Sequence, residues 1–226
     1  MHIAPASARS YAAAIFDFEG TLVDFQWQLE PAEVELRRAF ADLGFSGGEF
    51  AHGNYAAMWN AAADMLVPQG RLAELRRVLG PVYDRWDADA LSRWALRPGA
   101  AELLQGLAAG GARTAIVSNI GRQALGAALS RLGLSRWLSP VVTRDEVTWM
   151  KPRAEGILRV LSQWQADPGA VLFVGDSRAD VSGARAAAMP VAIIRGGECD
   201  EAAFADAPPD LFISRLDELA GRIGAS

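Results

Sequence analysis

Two acidic residues follow a short apolar run near the start of the chain. The run, residues 13–16, leads directly to Asp17 and Glu19, and then to a glycine and a hydroxyl group, Gly20 and Thr21. A carboxylate at the end of a buried strand is costly unless a partner compensates its charge. The two acids therefore indicate a functional site at the end of this run.

Polar residues also follow the later apolar runs. Ser118 and Asn119 end "ARTAIVSN", and Asp176 ends "AVLFVGD", with Asp180 one helical turn beyond it. Lys151 lies between these two runs, directly before a proline. Because ligands bind beyond the carboxyl ends of the strands in an open parallel sheet, we expect these side chains to gather at that edge.

Together these residues would combine several carboxylates with two hydroxyl groups and one ammonium group. The acids would repel one another unless a cation lay among them, and oxygen ligands beside an anionic substrate favour Mg²⁺. A lysine neutralises charge and can hold a phosphate oxygen. A nucleophilic carboxylate with a metal and a lysine suits phosphoryl transfer through an aspartyl-phosphate. Each residue also has a plainer interpretation: Thr21 and Ser118 as helix caps, Asp180 and Lys151 as exposed surface.

From about residue 97 the sequence alternates strand-like and helix-like segments. The predicted strands are "ARTAIVSN", "PVVT", "AVLFVGD", "PVAIIR" and "DLFIS". The predicted helices are "GAAELLQGLAAGG", "RQALGAALSRLG", "PRAEGILRVLSQWQ", "RADVSGARAAAM" and a final "RLDELAGRIG". This alternation predicts an α/β fold, a Rossmann-like parallel sheet with helices on both faces.

Residues 22–96 carry helical periodicity and lack short β-branched runs. Four helices are predicted there, in "PAEVELRRAFADLG", "NYAAMWNAAADML", "RLAELRRVLG" and "PVYDRWDADALSRWAL", with "GFSGGEF" as a loop. The chain is therefore predicted to have an α/β core domain, residues 1–21 and 97–226, and an inserted all-helical domain, residues 22–96. Gln26, Trp27 and Gln28 directly follow the first acidic segment, so we expect them near the cleft between the two.

The composition limits which kinds of binding partner and which cell compartment are expected. A net charge of −5 argues against a general nucleic-acid binder, which needs a basic surface. One cysteine, no apolar run long enough to cross a bilayer and no signal-like start suggest a cytoplasmic protein without a membrane partner. The first ten residues are expected to form a frayed leader in which His2 is solvated.

Four segments, in order, carry a resemblance to a known family. "FDFEGTLVD", "VSN", "KP" and "VGDSRAD" resemble the four motifs of the haloacid dehalogenase-like (HAD) superfamily of phosphohydrolases. "LRPGA" at residues 96–100 is similar to the same point in phosphoglycolate-phosphatase-like members, and the helical insertion is similar to the cap of that branch. The resemblance implies a Mg²⁺-dependent phosphatase acting on a small phosphorylated metabolite.

The resemblance also implies a role for each motif residue. Asp17 would be the nucleophile, and Lys151 would bridge it to the phosphate. The side chains of Thr21 and Ser118, with backbone N–H groups near Asn119 and Gly20, would bind phosphate oxygens.

The implied metal site draws on the first and last motifs. Asp176 would bind Mg²⁺ together with Asp17 and the backbone carbonyl of Glu19. Asp180 would support the metal through water or through the residues around it.

Glu19 departs from the pattern, because the family usually has an aspartate general acid/base at this position. The two side chains have similar unperturbed pKa values, about 4.3 and about 3.9, so the difference is mainly one of reach. A misplacement of about 1 Å can cost on the order of 10²-fold in rate. We expect Glu19 to remain the acid/base in a site adjusted to its length.

Three other functions share this fold. A modified first motif could belong to a weakly active or inactive binding or regulatory protein. A sugar phosphomutase would keep the phosphate and return it, and depends heavily on the acid/base that is altered here. A dehalogenase is disfavoured, because that branch lacks an acid at position 19 and needs no metal.

Overall fold

Six parallel strands form the centre of the molecule in the computed structural model, which describes residues 10–224. The strands are β1 (Ala13–Phe16), β2 (Arg113–Val117), β3 (Val141–Val142), β4 (Val171–Gly175), β5 (Val191–Ile194) and β6 (Leu211–Ile213). They lie in the order β3-β2-β1-β4-β5-β6, so the predicted parallel sheet is confirmed. Residues 1–9 of the predicted leader, with His2, lie outside the described residues.

Helices cover both faces of this sheet because successive strand residues point to opposite sides. In β1, Ala14 and Phe16 pack against one face, and Ala13 and Ile15 against the other. The first face is covered by α5 (Ala100–Ala109) and α6 (Arg122–Arg131), and the second by α7 (Glu155–Trp164) and α8 (Arg178–Ala186). The sheet is therefore buried on both sides, as its continuous apolar strands predict.

A helical insertion separates β1 from α5. Its helices are α1 (Leu29–Asp42), α2 (Glu49–His52), α3 (Tyr55–Leu66) and α4 (Leu72–Leu91). The short α2 lies where the sequence predicted only a loop. The prediction of two helices divided at Gly80 and Pro81 is wrong, since α4 runs through both residues. Leu75, Leu79 and Tyr83 form one buried face across the proline, and this packing outweighs the cost of about 3 kcal/mol for a proline inside a helix.

The predicted final helix is also shorter than expected. Only Leu216–Leu219 forms a 3₁₀ turn, and Gly221 and Gly224 follow with φ of 78° and 80°. That left-handed backbone conformation cannot continue a right-handed helix. Within residues 10–224, no helix combines the length and the apolar composition needed to cross a bilayer.

Two segments of the chain connect the insertion to the sheet domain, and they pair with each other. Val23 and Leu96 form an antiparallel bridge, the Asp24 N–H donates to the Ala95 carbonyl at 3.0 Å, and the Arg97 N–H donates to the Leu22 carbonyl at 3.0 Å. We call these paired segments, residues 22–24 and 95–97, the linker ribbon. It lies beside Glu19, because Glu19 also bridges to Val23.

A second contact joins the insertion to the core farther along the chain. The Asn60 amide on α3 donates to the Met150 carbonyl at 3.0 Å and accepts from the Met150 N–H at 2.8 Å. The Trp59 indole donates to the Thr148 carbonyl at 3.0 Å. The segment that leads to Lys151 is therefore fixed by side chains of the insertion.

Candidate active site

Asp17 and Lys151 form a buried ion pair at the carboxyl end of β1. The strand continues in register past Phe16, since the Asp17 N–H donates to the Val174 carbonyl of β4 at 2.9 Å. The Asp17 Oδ1 atom lies 2.7 Å from the Lys151 Nζ atom, and the same Nζ lies 2.7 Å from the Asp180 Oδ1 atom. Burial raises the pKa of Asp17 to about 6, although Lys151 acts to lower it. Burial acts to lower the pKa of Lys151, but the two carboxylates outweigh it and the net shift is upward.

The Asn119 side chain holds the Lys151 backbone rather than facing an open site. Its Oδ1 accepts from the Lys151 N–H at 3.0 Å, and its Nδ2 donates to the Lys151 carbonyl at 3.2 Å. Ser118, directly after β2, is buried, and its hydroxyl accepts from the Ile120 N–H at 3.3 Å. The loop after β2 thus positions the ammonium group beside Asp17.

Asp180 uses both of its carboxylate oxygens on protein groups. Oδ1 meets Lys151, and Oδ2 accepts from the N–H groups of Asp176 and Ser177 at 3.1 Å each and from the Ser177 hydroxyl at 2.7 Å. Ser177 and Asp180 form a capping box at the start of α8. The predicted plainer role of Asp180 as exposed surface is wrong, since its side chain is fully buried.

Asp176 lies between two glycine turns that leave no room for side chains. A Cβ on Gly20, whose φ is 77°, would lie 2.0 Å from the Asp176 Oδ2 atom, and one on Gly197 would lie 2.2 Å from it. The Thr21 hydroxyl donates to Asp176 Oδ1 at 3.2 Å, and the Glu198 N–H donates to Oδ2 at 2.5 Å. Thr21 therefore contacts Asp176 in this structure, and it is not part of the cavity lining described below.

Asp17, Asp176 and Asp180 form an acidic group that fits a hard cation. Each offers an oxygen, and these atoms lie within 4.8 Å of one another. Burial raises the pKa of Asp176 well above its ordinary value, and the charges of Asp180 and Asp17 raise it further. Asp17 and Asp180 share the Lys151 ammonium group, and Asp176 has no ion-pair partner among the described residues, so a divalent cation would offset their repulsion. All-oxygen ligands are those that Mg²⁺ prefers.

Glu19 accepts three hydrogen bonds, all on one oxygen. Its Oε1 receives the N–H groups of Gln26 at 2.8 Å and Trp27 at 2.7 Å, and the indole N–H of Trp94 at 2.8 Å. Its Oε2 accepts none from the described residues. Burial raises the pKa of Glu19 to about 7 although the three donors act to lower it. Trp94 is buried, and its indole orients this carboxylate.

Of the three residues predicted near the cleft, Trp27 lines a cavity beside Glu19. Its ring packs 4.9 Å from the Tyr55 ring, and its indole N–H donates to Asp87 at 3.1 Å. The Gln26 side chain turns to Asp24 at 2.6 Å, and the exposed Gln28 side chain donates to Asp89 at 2.9 Å. Gln26 thus contributes to the site through its backbone N–H, and Gln28 lies outside it.

A buried ion pair that the sequence analysis missed connects the insertion to the loops behind the site. The Arg144 guanidinium lies 2.9 Å from Asp87 and 2.5 Å from Asp84, both on α4. It also donates to the Asn119 carbonyl at 3.0 Å. Asp87 accepts from the Gly121 N–H at 2.9 Å as well. Because Asp87 also receives Trp27, a continuous path of contacts runs from Glu19 through this pair to Asn119.

A small cavity lies directly against Asp17. Its volume is about 30 Å³, and its walls include Glu19, Ser118, Lys151 and Glu198. Glu198, in the loop after β5, was not predicted as a site residue. Burial raises its pKa to about 7, and Asp180 and Asp17 add to that rise. A larger cleft of about 500 Å³ adjoins it, with residues of α3 on one side and of α8 on the other.

Comparison with known proteins identifies the family. The family model described as haloacid dehalogenase-like hydrolase matches residues 11–188. A phosphoglycolate phosphatase of Cupriavidus necator is 31% identical over 218 residues, covering 92% of this chain and 90% of its own. One from Synechococcus elongatus is 32% identical over 210 residues, covering 92% and 94%. A solved HAD-superfamily hydrolase of Geobacter sulfurreducens shares the fold with a TM-score of 0.60 at 22% identity, covering 94% of this chain and 99% of its own.

The chain belongs to the haloacid dehalogenase-like hydrolase family. Within that family it is phosphoglycolate-phosphatase-like, which confirms the resemblance carried by its four motifs. The predicted enzyme class, a HAD-like phosphoric monoester hydrolase, is confirmed at the level of the class.

Proposed function

We propose that this protein is a Mg²⁺-dependent phosphatase that hydrolyses a small phosphomonoester through an aspartyl-phosphate on Asp17. The observation that carries the proposal is the buried Asp17–Lys151–Asp180 group, with Asp176 beside it and a cavity against Asp17. An ammonium group 2.7 Å from the nucleophile is placed to neutralise a phosphoryl group there. The comparisons support the class, since the relatives that share the length of the chain are phosphatases by name.

The first chemical step forms a bond between Asp17 and phosphorus. As an Asp17 oxygen attacks, the bond between phosphorus and the ester oxygen breaks, and Glu19 gives its proton to the departing alkoxide. The raised pKa of Glu19, about 7, keeps a proton available for that transfer near neutral pH. Lys151 neutralises negative charge on the transferred phosphoryl group, and Ser118, in the same cavity wall, offers its hydroxyl.

The second step returns Asp17 to its starting state. Water attacks the phosphorus of the aspartyl-phosphate, the bond to Asp17 breaks, and the Glu19 carboxylate takes the proton of the water. Because Glu19 Oε1 is occupied by three donors, we assign both proton transfers to Oε2. This assignment favours turnover over the alternative of an inactive binding protein, since a carboxylate with one free oxygen still lines the cavity.

Mg²⁺ would be held by Asp17, Asp176 and the backbone carbonyl of Glu19. When bound, it would supply positive charge against the nucleophile and the phosphate oxygens. Asp180 is proposed to act through Lys151 and the start of α8, because both of its oxygens are already used there. Thr21 is proposed to orient Asp176, and Asn119 to place Lys151.

The helical insertion, predicted as a cap over residues 22–96, is proposed to move relative to the sheet so that substrate can enter. The supporting observation is the size of the cavity, about 30 Å³, which is too small to admit a substrate from solvent in this state. The substrate is proposed to be a small phosphorylated metabolite in the cytoplasm.

The test is Mg²⁺-dependent phosphate release over a panel of small phosphomonoesters, with p-nitrophenyl phosphate included. Asp17→Asn is the blank, and Glu19→Asp is measured alongside. We expect release by the native protein, and loss of release in Asp17→Asn and in excess chelator. Turnover by Glu19→Asp alone would contradict the proposal and favour a binding protein. Isomerisation that depends on a bisphosphate would favour a phosphomutase.

A further inference from the structure

The cations that line the candidate active site and its adjoining cleft are paired with acids. Lys151, in the wall of the small cavity, and Arg144, behind it, are held in the buried ion pairs described above. In the adjoining cleft, Arg153 pairs with Asp64 at 2.8 Å and Arg178 with Asp206 at 2.6 Å. Every lysine or arginine that lines these cavities within residues 10–224 has an acidic partner, so a second anionic group of a substrate would have to displace one.

Glu198 differs from these residues, because its carboxylate lines the small cavity without a protein partner. No donor among the described residues reaches it, whereas its backbone N–H is fixed on Asp176 at 2.5 Å. The backbone contact places the side chain next to the reaction site. A carboxylate so placed accepts hydrogen bonds from a ligand and repels a negative charge.

The adjoining cleft also offers a carboxylate. Glu49 lines it from the insertion, beside the paired Arg153 and Arg178, and the cleft meets the small cavity at Ala179. A substrate that extends beyond the phosphate site therefore meets acceptor groups in both cavities.

Resting on the proposed phosphatase function, we propose that Glu198 selects phosphomonoesters whose leaving group carries hydroxyl or amino groups and no negative charge. The phosphate of such a substrate would lie against Asp17 and Lys151. Its leaving group would donate hydrogen bonds to Glu198. The carboxylate of 2-phosphoglycolate, two carbons from the phosphate oxygen, would instead approach Glu198 with the same charge.

The proposed substrate preference differs from the substrate that the names of the relatives give. The relatives at 31% and 32% identity are named phosphoglycolate phosphatases. A single carboxylate in the wall of a closed cavity is sufficient to change which substrate is preferred, because juxtaposed like charges are strongly unfavourable away from bulk water.

The experiment compares kcat/KM for four esters at pH 8, above the raised pKa of Glu198, with saturating Mg²⁺. O-phosphoethanolamine and glycerol 1-phosphate carry donors and no extra negative charge, 2-phosphoglycolate carries a carboxylate, and p-nitrophenyl phosphate is the reference. We expect the native protein to prefer the first two over 2-phosphoglycolate by about tenfold or more. In Glu198→Gln that ratio should fall toward one, mainly through KM.

Asp200→Asn is the matched control. Asp200 lies two residues from Glu198, is exposed, and lines neither cavity, so the same loss of one charge should leave the ratio unchanged.

Three results would overturn the inference. One is a native preference for 2-phosphoglycolate. Another is an equal loss for all four esters in Glu198→Gln with a higher Mg²⁺ requirement, which would assign Glu198 to the metal site. The third is that none of the four esters releases phosphate, which would overturn the proposed function and the inference together. The first two results would leave the proposed function intact.

Discussion

Removing the Arg144 side chain should destabilise the fold, because it leaves Asp87 buried without its cation. The side chains of Arg144 and Asp87 are 2% and 1% exposed, and they lie 2.9 Å apart. Breaking such a pair by removing one partner costs roughly 3–5 kcal/mol. Asp87 keeps the donors Trp27 and Gly121, so we expect Arg144→Met to fall at the lower end, about 3 kcal/mol. For a chain of this size that lowers Tm by roughly 6–12 °C.

Thermal unfolding followed by circular dichroism measures this shift in Tm. The shift should also depend on pH, in a direction that follows from the pKa of Asp87. Burial raises the pKa of Asp87, and Arg144 acts to lower it, so the variant should have a higher Asp87 pKa than the native protein. A carboxyl group whose pKa is raised on folding contributes stability at low pH and loses it as pH rises through the raised value. The deficit in Tm should therefore be larger at pH 8 than at pH 5.

Two further variants test the reasoning. Arg153→Met removes an exposed pair, 57% and 46% exposed, and should cost about 1 kcal/mol or less. Arg144→Met combined with Asp87→Asn removes the unpaired charge and should recover stability at pH 8. A Tm deficit for Arg144→Met no larger than that for Arg153→Met, or one that shrinks as pH rises, would refute the argument.

Three further predictions concern catalysis. Glu19→Gln should slow the hydrolysis of alkyl phosphates by about 10²-fold or more, and that of p-nitrophenyl phosphate far less, since a good leaving group needs no proton. Steady-state assays of both esters test this, and an equal effect on both would contradict an acid role. Trp94→Phe removes one of three donors to Glu19 and should lower kcat for alkyl esters by roughly tenfold, with the p-nitrophenyl phosphate rate as its control. Lys151→Met should reduce phosphate release by on the order of 10²–10³ with the circular dichroism spectrum retained; turnover within tenfold of native would remove Lys151 from the phosphate site.

The sequence was sufficient for the sheet and for the residues that end its strands. Apolar runs set the strands, and a parallel sheet brings their carboxyl ends to one edge, which is why Asp17, Lys151 and Asp176 could be grouped in advance. The helix through Pro81 could not be predicted locally, because the packing of Leu79 and Tyr83 decides it.

Residues brought in by tertiary contacts were the ones missed. Arg144 and Asp87 are 57 positions apart, and neither neighbourhood carries a motif. One signal was present: Asp87 continues the spacing of Leu75, Leu79 and Tyr83 on the apolar face of α4, where an acid needs a partner. Glu198 had no such signal, since its loop carries no periodic pattern and only the fold turns it toward Asp17.

Glu19 is coupled to the position of the insertion, because its three donors lie on the insertion side of the linker ribbon. These donors flank both segments of the ribbon, Gln26 and Trp27 on the way out and Trp94 on the way back. Asp17, by contrast, is fixed by the sheet through Val174. Moving the insertion would carry away the groups that hold the proton carrier while the nucleophile stays in place. If the insertion moves as proposed, Asp17 would keep its place while Glu19 loses the three donors that orient it, so hydrolysis of a phosphorylated Asp17 would depend on the insertion being docked.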